Sequence, residues 1–140
     1  MDHMNQELSE AYRRTTYYAD TPRGRLAIHI GQFDAELDRL LADHGCRAWA
    51  YLTAHNPRSQ RLSADENQRR QARLERELRA GGWICFSGEG VGARGDWPPE
   101  ISTLVLGVDE ATATRLGEVF EQNAIVVGQF GKPAALALLG

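Results

Sequence analysis

Thr53, His55, Asn56, Ser59, Ser63 and Asn67 lie in one short stretch, Thr53-Ala-His-Asn-Pro-Arg-Ser-Gln-Arg-Leu-Ser-Ala-Asp-Glu-Asn67, where an apolar run stops and a charged one starts. Side chains of this kind do two sorts of chemistry. Amides and hydroxyls read the hydrogen-bonding edges of a small polar ligand or a nucleotide, and loop positions on a rigid scaffold are where such groups concentrate. Imidazole and carboxylate exchange protons, so His55 with Glu89 or Glu100 is the candidate acid/base set, with Asp96 close by in sequence. No histidine is paired at i, i+4 or set in a carboxylate pattern, so no metal is expected. No serine sits in a nucleophile elbow and neither cysteine has a recognisable histidine partner, which argues against covalent catalysis.

Asn67 also has a plainer role. Ser63-Ala-Asp-Glu66 is a capping box, which starts a helix at Ala64 and places Asn67, Leu74 and Leu78 on one inward stripe. A buried amide needs hydrogen-bond partners, and the nearest are in the turn Asn56-Pro-Arg-Ser59. On this reading Asn67 ties the loop down.

Other motifs carry less. Gly90-Val-Gly-Ala-Arg-Gly95 matches the dinucleotide fingerprint in letters, but Asp96-Trp-Pro-Pro-Glu100 cannot open the helix on which pyrophosphate would sit. It reads instead as a loop anchored by Trp97. Arg69, Arg73 and Arg76 share a helix face, yet Glu66, Glu75 and Glu77 are interleaved with them. Such a face is a solvated one laced with ion pairs, and nucleic acid is not the expected partner.

The elements that must position these residues follow from periodicity. Thr15–Ala19 and Arg25–Ile30 flank Thr21-Pro-Arg-Gly24 as a β-hairpin. Phe33, Leu37, Leu40 and Leu41 keep helical spacing, ended by Gly45. Cys46–Thr53 is apolar on nearly every position, as a strand covered on both faces is. A helix over 64–80, strands over 83–86 and 101–106, a helix capped by Asp109 and a strand over 124–127 follow, with a possible last strand over 134–139. The long stretch 88–100 reads as a loop.

From Cys46 this order is strand, helix, strand, strand, helix, strand, and the expected fold is α+β with a ferredoxin-like βαββαβ core. In that topology 53–67, 88–100 and 121–123 meet at one edge of the sheet. Helices after the two central strands cover only one face, so the hairpin and the Phe33–Leu41 helix are expected to cover the other.

Composition bounds the rest. A chain of 140 residues with net charge −3 is expected to form one domain over 11–140, with 1–10 a frayed or vector-derived end. Cys46 and Cys85 read as buried free thiols, and no apolar run is long enough to span a bilayer. The expected setting is cytoplasmic, as monomer or homodimer, without cofactor.

Three stretches, Tyr51-Leu-Thr-Ala-His-Asn-Pro-Arg-Ser59 with Asn67, Gly95-Asp-Trp-Pro-Pro-Glu100, and Glu121-Gln-Asn-Ala124, resemble the bacterial family of domain of unknown function 3293 (DUF3293). Its pattern reads Thr-Ala-x-Asn-Pro-x-Ser, an Asn in the next helix, Trp-Pro-Glu-Glu-Ser, and Phe-Gly-Gln-Asn-Ala. Glu121 stands in the place of that Gly, and Ile101 separates Glu100 from Ser102. The resemblance implies no activity; it marks the same three stretches.

The leading reading is a non-catalytic module that binds a small polar ligand or nucleotide at the shared edge. Thr53, Asn56, Ser59, Asn67, Gln122 and Asn123 supply hydrogen bonds, Trp97 stacks, Glu100 adds a carboxylate, and Arg70 or His55 meets an anionic group. The competing readings are an enzyme that uses His55 with Glu89 or Glu100, and a domain that binds or regulates another protein.

Overall fold

The computed structural model describes residues 3–95 and 97–139, with the side chains of 3–5 outside the description. Asp96 therefore lies outside the described residues. The protein is an α+β domain. Its elements are α1 (His3–Arg13), β1 (Thr16–Thr21), β2 (Gly24–Ile28), α2 (Ala35–Asp43), β3 (Ala48–Leu52), α3 (Ala64–Ala80), β4 (Ile84–Val91), β5 (Glu100–Leu106), α4 (Glu110–Val119), β6 (Ala124–Gln129) and β7 (Ala135–Leu138). All seven strands join one antiparallel sheet in the order β2-β1-β4-β5-β3-β6-β7.

Local chemistry sets the helix starts. Ser63 accepts from the Glu66 amide at 3.2 Å, and Asp109 accepts from the Thr112 amide at 2.7 Å, each satisfying an amide that the first helical turn leaves unpaired. Asp34 caps α2 in the same way. That cap puts Phe33 before the helix, where it is exposed instead of lining the inner face.

Alternation along the central strands feeds two cores. Ala50, Leu52, Val105, Ile125 and Val127 pack on one face beneath Leu74 and Leu78 of α3 and Ala113 of α4. Trp49, Tyr51, Leu104, Leu106 and Val126 point the other way, toward Leu37, Leu40 and Leu41 of α2 and Tyr17, Leu26 and Ile28 of the hairpin. A strand buried on both faces has no polar face to show, which is why β3 reads as a continuous apolar run.

The described part of 1–10 lies in α1 (His3–Arg13), whose Tyr12 packs against the second core. Two further expectations are corrected. Residues 88–91 are strand and not loop, because β1 supplies a ladder from Thr16↔Val91 to Ala19↔Gly88. Cys46 and Cys85 are free but only half-buried.

Candidate functional site

The site is built where β3 ends and β5 and β6 begin. Antiparallel pairing puts these termini side by side, and the chain leaves β3 through a turn whose backbone is unusual. Asn56, Arg58, Ser59 and Glu121 are the four non-glycine residues with positive φ, at 49, 53, 60 and 59°, among the described residues. Left-handed backbone costs a non-glycine residue roughly 1 to 2 kcal/mol, less for Asn, and persists only where its surroundings over-determine it. Glu121 stands where the resemblance drawn from the sequence expects Gly, the residue that adopts this conformation without penalty.

A closed polar network holds the turn. The Asn56 amide N–H donates to Asn67 Oδ1 at 2.8 Å, while Asn67 Nδ2 returns a bond to Asn56 Oδ1 at 2.9 Å. Asn56 Oδ1 also accepts from the Leu62 amide at 2.9 Å. Gln71, one turn after Asn67 on the same buried stripe, accepts from the Ala54 amide at 2.9 Å. Arg70 donates to the carbonyls of Ala54 at 2.8 Å and Phe120 at 2.5 Å. Gln122 Nε2 donates to the His55 carbonyl at 3.0 Å, and Arg58 N–H to the Glu121 carbonyl at 2.7 Å. The turn after β3 is thus stitched to α3 and to the α4–β6 connection.

On the face opposite α3 this framework borders a cavity of about 670 Å³. Its wall includes Tyr12 and neighbouring residues of α1, Tyr17, Tyr51, Thr53, Asn56, Ser59, Trp97, Glu100, Ser102 and Gln122. Glu100 is part of its polar lining. Its Oε2 accepts from Asn56 Nδ2 at 2.6 Å and from Trp97 Nε1 at 3.0 Å, so one carboxylate oxygen is fixed by two donors. Tyr17 and Tyr51 meet edge to face with ring centroids 5.3 Å apart, and their hydroxyls donate to the carbonyls of Tyr12 and Tyr18. Burial, with Glu100 adding to it, pushes the Tyr12 phenol up to about 12, a hydrogen bond with Ser59 offsetting part of the rise. Burial raises Tyr17 and Tyr51 as well. All three phenols keep their protons at neutral pH.

The structure brings together Thr53, Asn56, Ser59, Trp97, Glu100 and Gln122 at the cavity. Asn67, Arg70 and Asn123 stand behind it as supports, Asn123 donating to Ser59 Oγ at 2.8 Å. Arg70 is occupied by carbonyls and stands 3.8 Å from Glu121, so it does not face the cavity as a free cation. Glu89 bonds Arg25 at 2.8 Å on the far side of β4. Neither Glu89 nor His55 lines the cavity, and no hydrogen bond joins His55 to Glu89 or Glu100 among the described residues. Nor do three His, Cys, Asp or Glu side chains gather as a metal site among the described residues.

Tyr12, Tyr17, Tyr51 and Gln71 are site residues that the sequence reading missed. Gln71 had a signal, since it follows Asn67 by four on the inward stripe. Tyr12 had a weaker one, four residues after Leu8, but lies just past the 1–10 segment set aside as an end, where no element was read.

His55 is half-buried, and desolvation lowers its pKa from 6.5. The folded state therefore binds this proton less readily than the unfolded chain. Stability is full above about pH 6.5 and declines as pH falls through the lowered value. His55→Gln is expected to flatten that decline in urea melts taken from pH 7 downward; an unchanged slope would assign it to other groups.

Fold and cavity together define a small α+β domain with an aromatic, carboxylate-bearing cavity at one end of its sheet. The chain belongs to the family described as Protein of unknown function (DUF3293), whose model matches residues 52–125. That span runs from the end of β3 into β6 and includes the strained turn, Glu100 and Gln122, but not Tyr12 or Tyr17. No curated protein and no solved structure matches the chain. No helix among the described residues is long and apolar enough to cross a membrane.

Proposed function

We propose that this domain is a non-catalytic module that binds a small polar ligand in the cavity beneath α1. The observation that carries the reading is where the strain lies. All four left-handed non-glycine residues among those described sit in the two segments bordering the cavity, held by side-chain amides bonded to the backbone around them. Strain kept in place by such a framework is a mark of function, and a preformed apolar wall with a few fixed polar groups is the usual make-up of a ligand site. The expected nucleotide phosphate loses its partner in Arg70, so the reading rests on the part of a ligand that meets Glu100, Ser59 and the aromatic rings.

In the same proposal the β3 to β6 unit is a ferredoxin-like core. The order β4-β5-β3-β6 and the packing of α3 and α4 on one face support it. A cytoplasmic setting fits the two free thiols.

A thermal-shift screen of amines, amino acids, nucleosides and nucleotides tests the binding. A specific ligand at about 100 times its Kd adds roughly 2.7 kcal/mol of stability, and Trp97→Ala, which removes one wall, is expected to abolish that shift. A silent screen, or a shift untouched by Trp97→Ala, counts against the cavity.

A further inference from the structure

We infer that the cavity selects an organic cation: an ammonium or amidinium group carried on an aromatic or apolar body. The inference rests on the ligand-binding reading above and names its ligand class. Glu100 is only half used. Oε2 takes both Asn56 Nδ2 and Trp97 Nε1, while Oε1 has no hydrogen-bond partner among the described residues. No buried side-chain oxygen is without a partner among the described residues, so this oxygen is accessible, on a residue that lines the cavity. Two fixed donors hold the carboxylate in one orientation before any ligand arrives, which cuts the ordering cost of recognition.

The surroundings favour the same charge. Tyr12, Tyr17, Tyr51 and Trp97 line the same cavity as Glu100, and aromatic faces attract cations, more strongly where water is excluded. The Trp97 ring already has the guanidinium of Arg61 5.7 Å from its centroid. Arg14 and Arg94 line the cavity with Glu7, Glu10 and Glu100, and Arg14 is paired with Glu10 at 3.4 Å, so carboxylates outnumber cations in the lining. A negatively charged ligand would meet the Glu100 carboxylate, whose Oε2 is fixed by two donors. An ammonium or amidinium instead completes the open oxygen with a charge-assisted hydrogen bond.

The test uses three molecules of one shape and different charge: benzamidine, benzamide and benzoate, titrated into the full chain by calorimetry. Benzamidine is expected to bind at least about tenfold more tightly than benzamide, and benzoate weakest of all, tenfold being one good charge-assisted contact. Glu100→Gln keeps an oxygen for Asn56 and Trp97 but removes the charge. It is expected to cost benzamidine about tenfold and benzamide less than threefold, a split that lost folding would not produce. If Glu100→Gln does not fold, the order of the three molecules on the natural chain decides alone. Equal or tighter binding of benzamide or benzoate overturns the cation and leaves ligand binding standing. If none of the three binds, hits of the broader screen are ranked the same way; neutral or anionic hits overturn the cation, and no hits overturn both readings.

Discussion

Gly88→Ala is expected to lower the unfolding free energy by about 3 kcal/mol or more, the upper part of the overpacking range. A Cβ on Gly88 would lie 1.8 Å from the Tyr18 carbonyl oxygen, 2.9 Å from its carbon and 3.0 Å from the Tyr51 hydroxyl. The first two are backbone atoms, so no rotamer change relieves them. β1 has to move away from β4, and the bond from the Tyr51 hydroxyl to the Tyr18 carbonyl, 2.6 Å long, goes with it. That bond helps set the aromatic wall, so cavity and stability should fail together. Gly90 is the internal control: it lies on the same strand and also pairs with β1, but its nearest contact would be 3.8 Å away. Gly90→Ala should cost no more than about 1 kcal/mol, the usual scale for a tolerated substitution. Urea melts of the two variants decide it, and equal losses would show that close approach at Gly88 is not the cause.

Asn67→Ala should cost about 2 to 4 kcal/mol, because it strands a buried donor as well as losing a bond. Asn67 is 6% exposed and Asn56 5%, so water cannot easily replace what is lost. The Asn56 amide N–H loses its acceptor, and Asn56 Oδ1 loses one of its two donors, keeping the Leu62 amide. Asn56 is also the residue whose Nδ2 holds Glu100, so the variant should weaken any ligand that depends on that carboxylate. Asn123→Ala makes the comparison. It removes one exposed bond to Ser59 and should cost less than about 1 kcal/mol. A loss at Asn67 as small as at Asn123 would refute the network as the support of the turn.

Much of this was legible from local chemistry. Ser63 with Glu66, Asp109 and the spacing of Leu74 and Leu78 announce where helices begin and which side they bury, because an unpaired first-turn amide and an apolar stripe are local problems with local solutions. Asn67 was readable as an anchor for the same reason. The two-faced apolar character of β3 and β5 also required a second covering layer, which α2 and the hairpin supply.

The sequence by itself thus determined the run of elements from β3 to β6, the helix caps at Ser63 and Asp109, and the three stretches that it marked as a candidate site. Only the tertiary structure decided that 88–91 is strand, since nothing in Gly88-Glu-Gly-Val91 favours a ladder until β1 is laid beside it. It also decided that Arg70 bonds the carbonyls of Ala54 and Phe120, that Glu89 pairs with Arg25, and that Tyr12 of α1 lines the same cavity as Glu100. Each of these depends on a partner dozens of residues away, such as Asn56 with Glu100 across 44 positions. Periodicity records how much water each residue sees; which donor meets which acceptor is set by strand order and register, and these exist only once the sheet has formed.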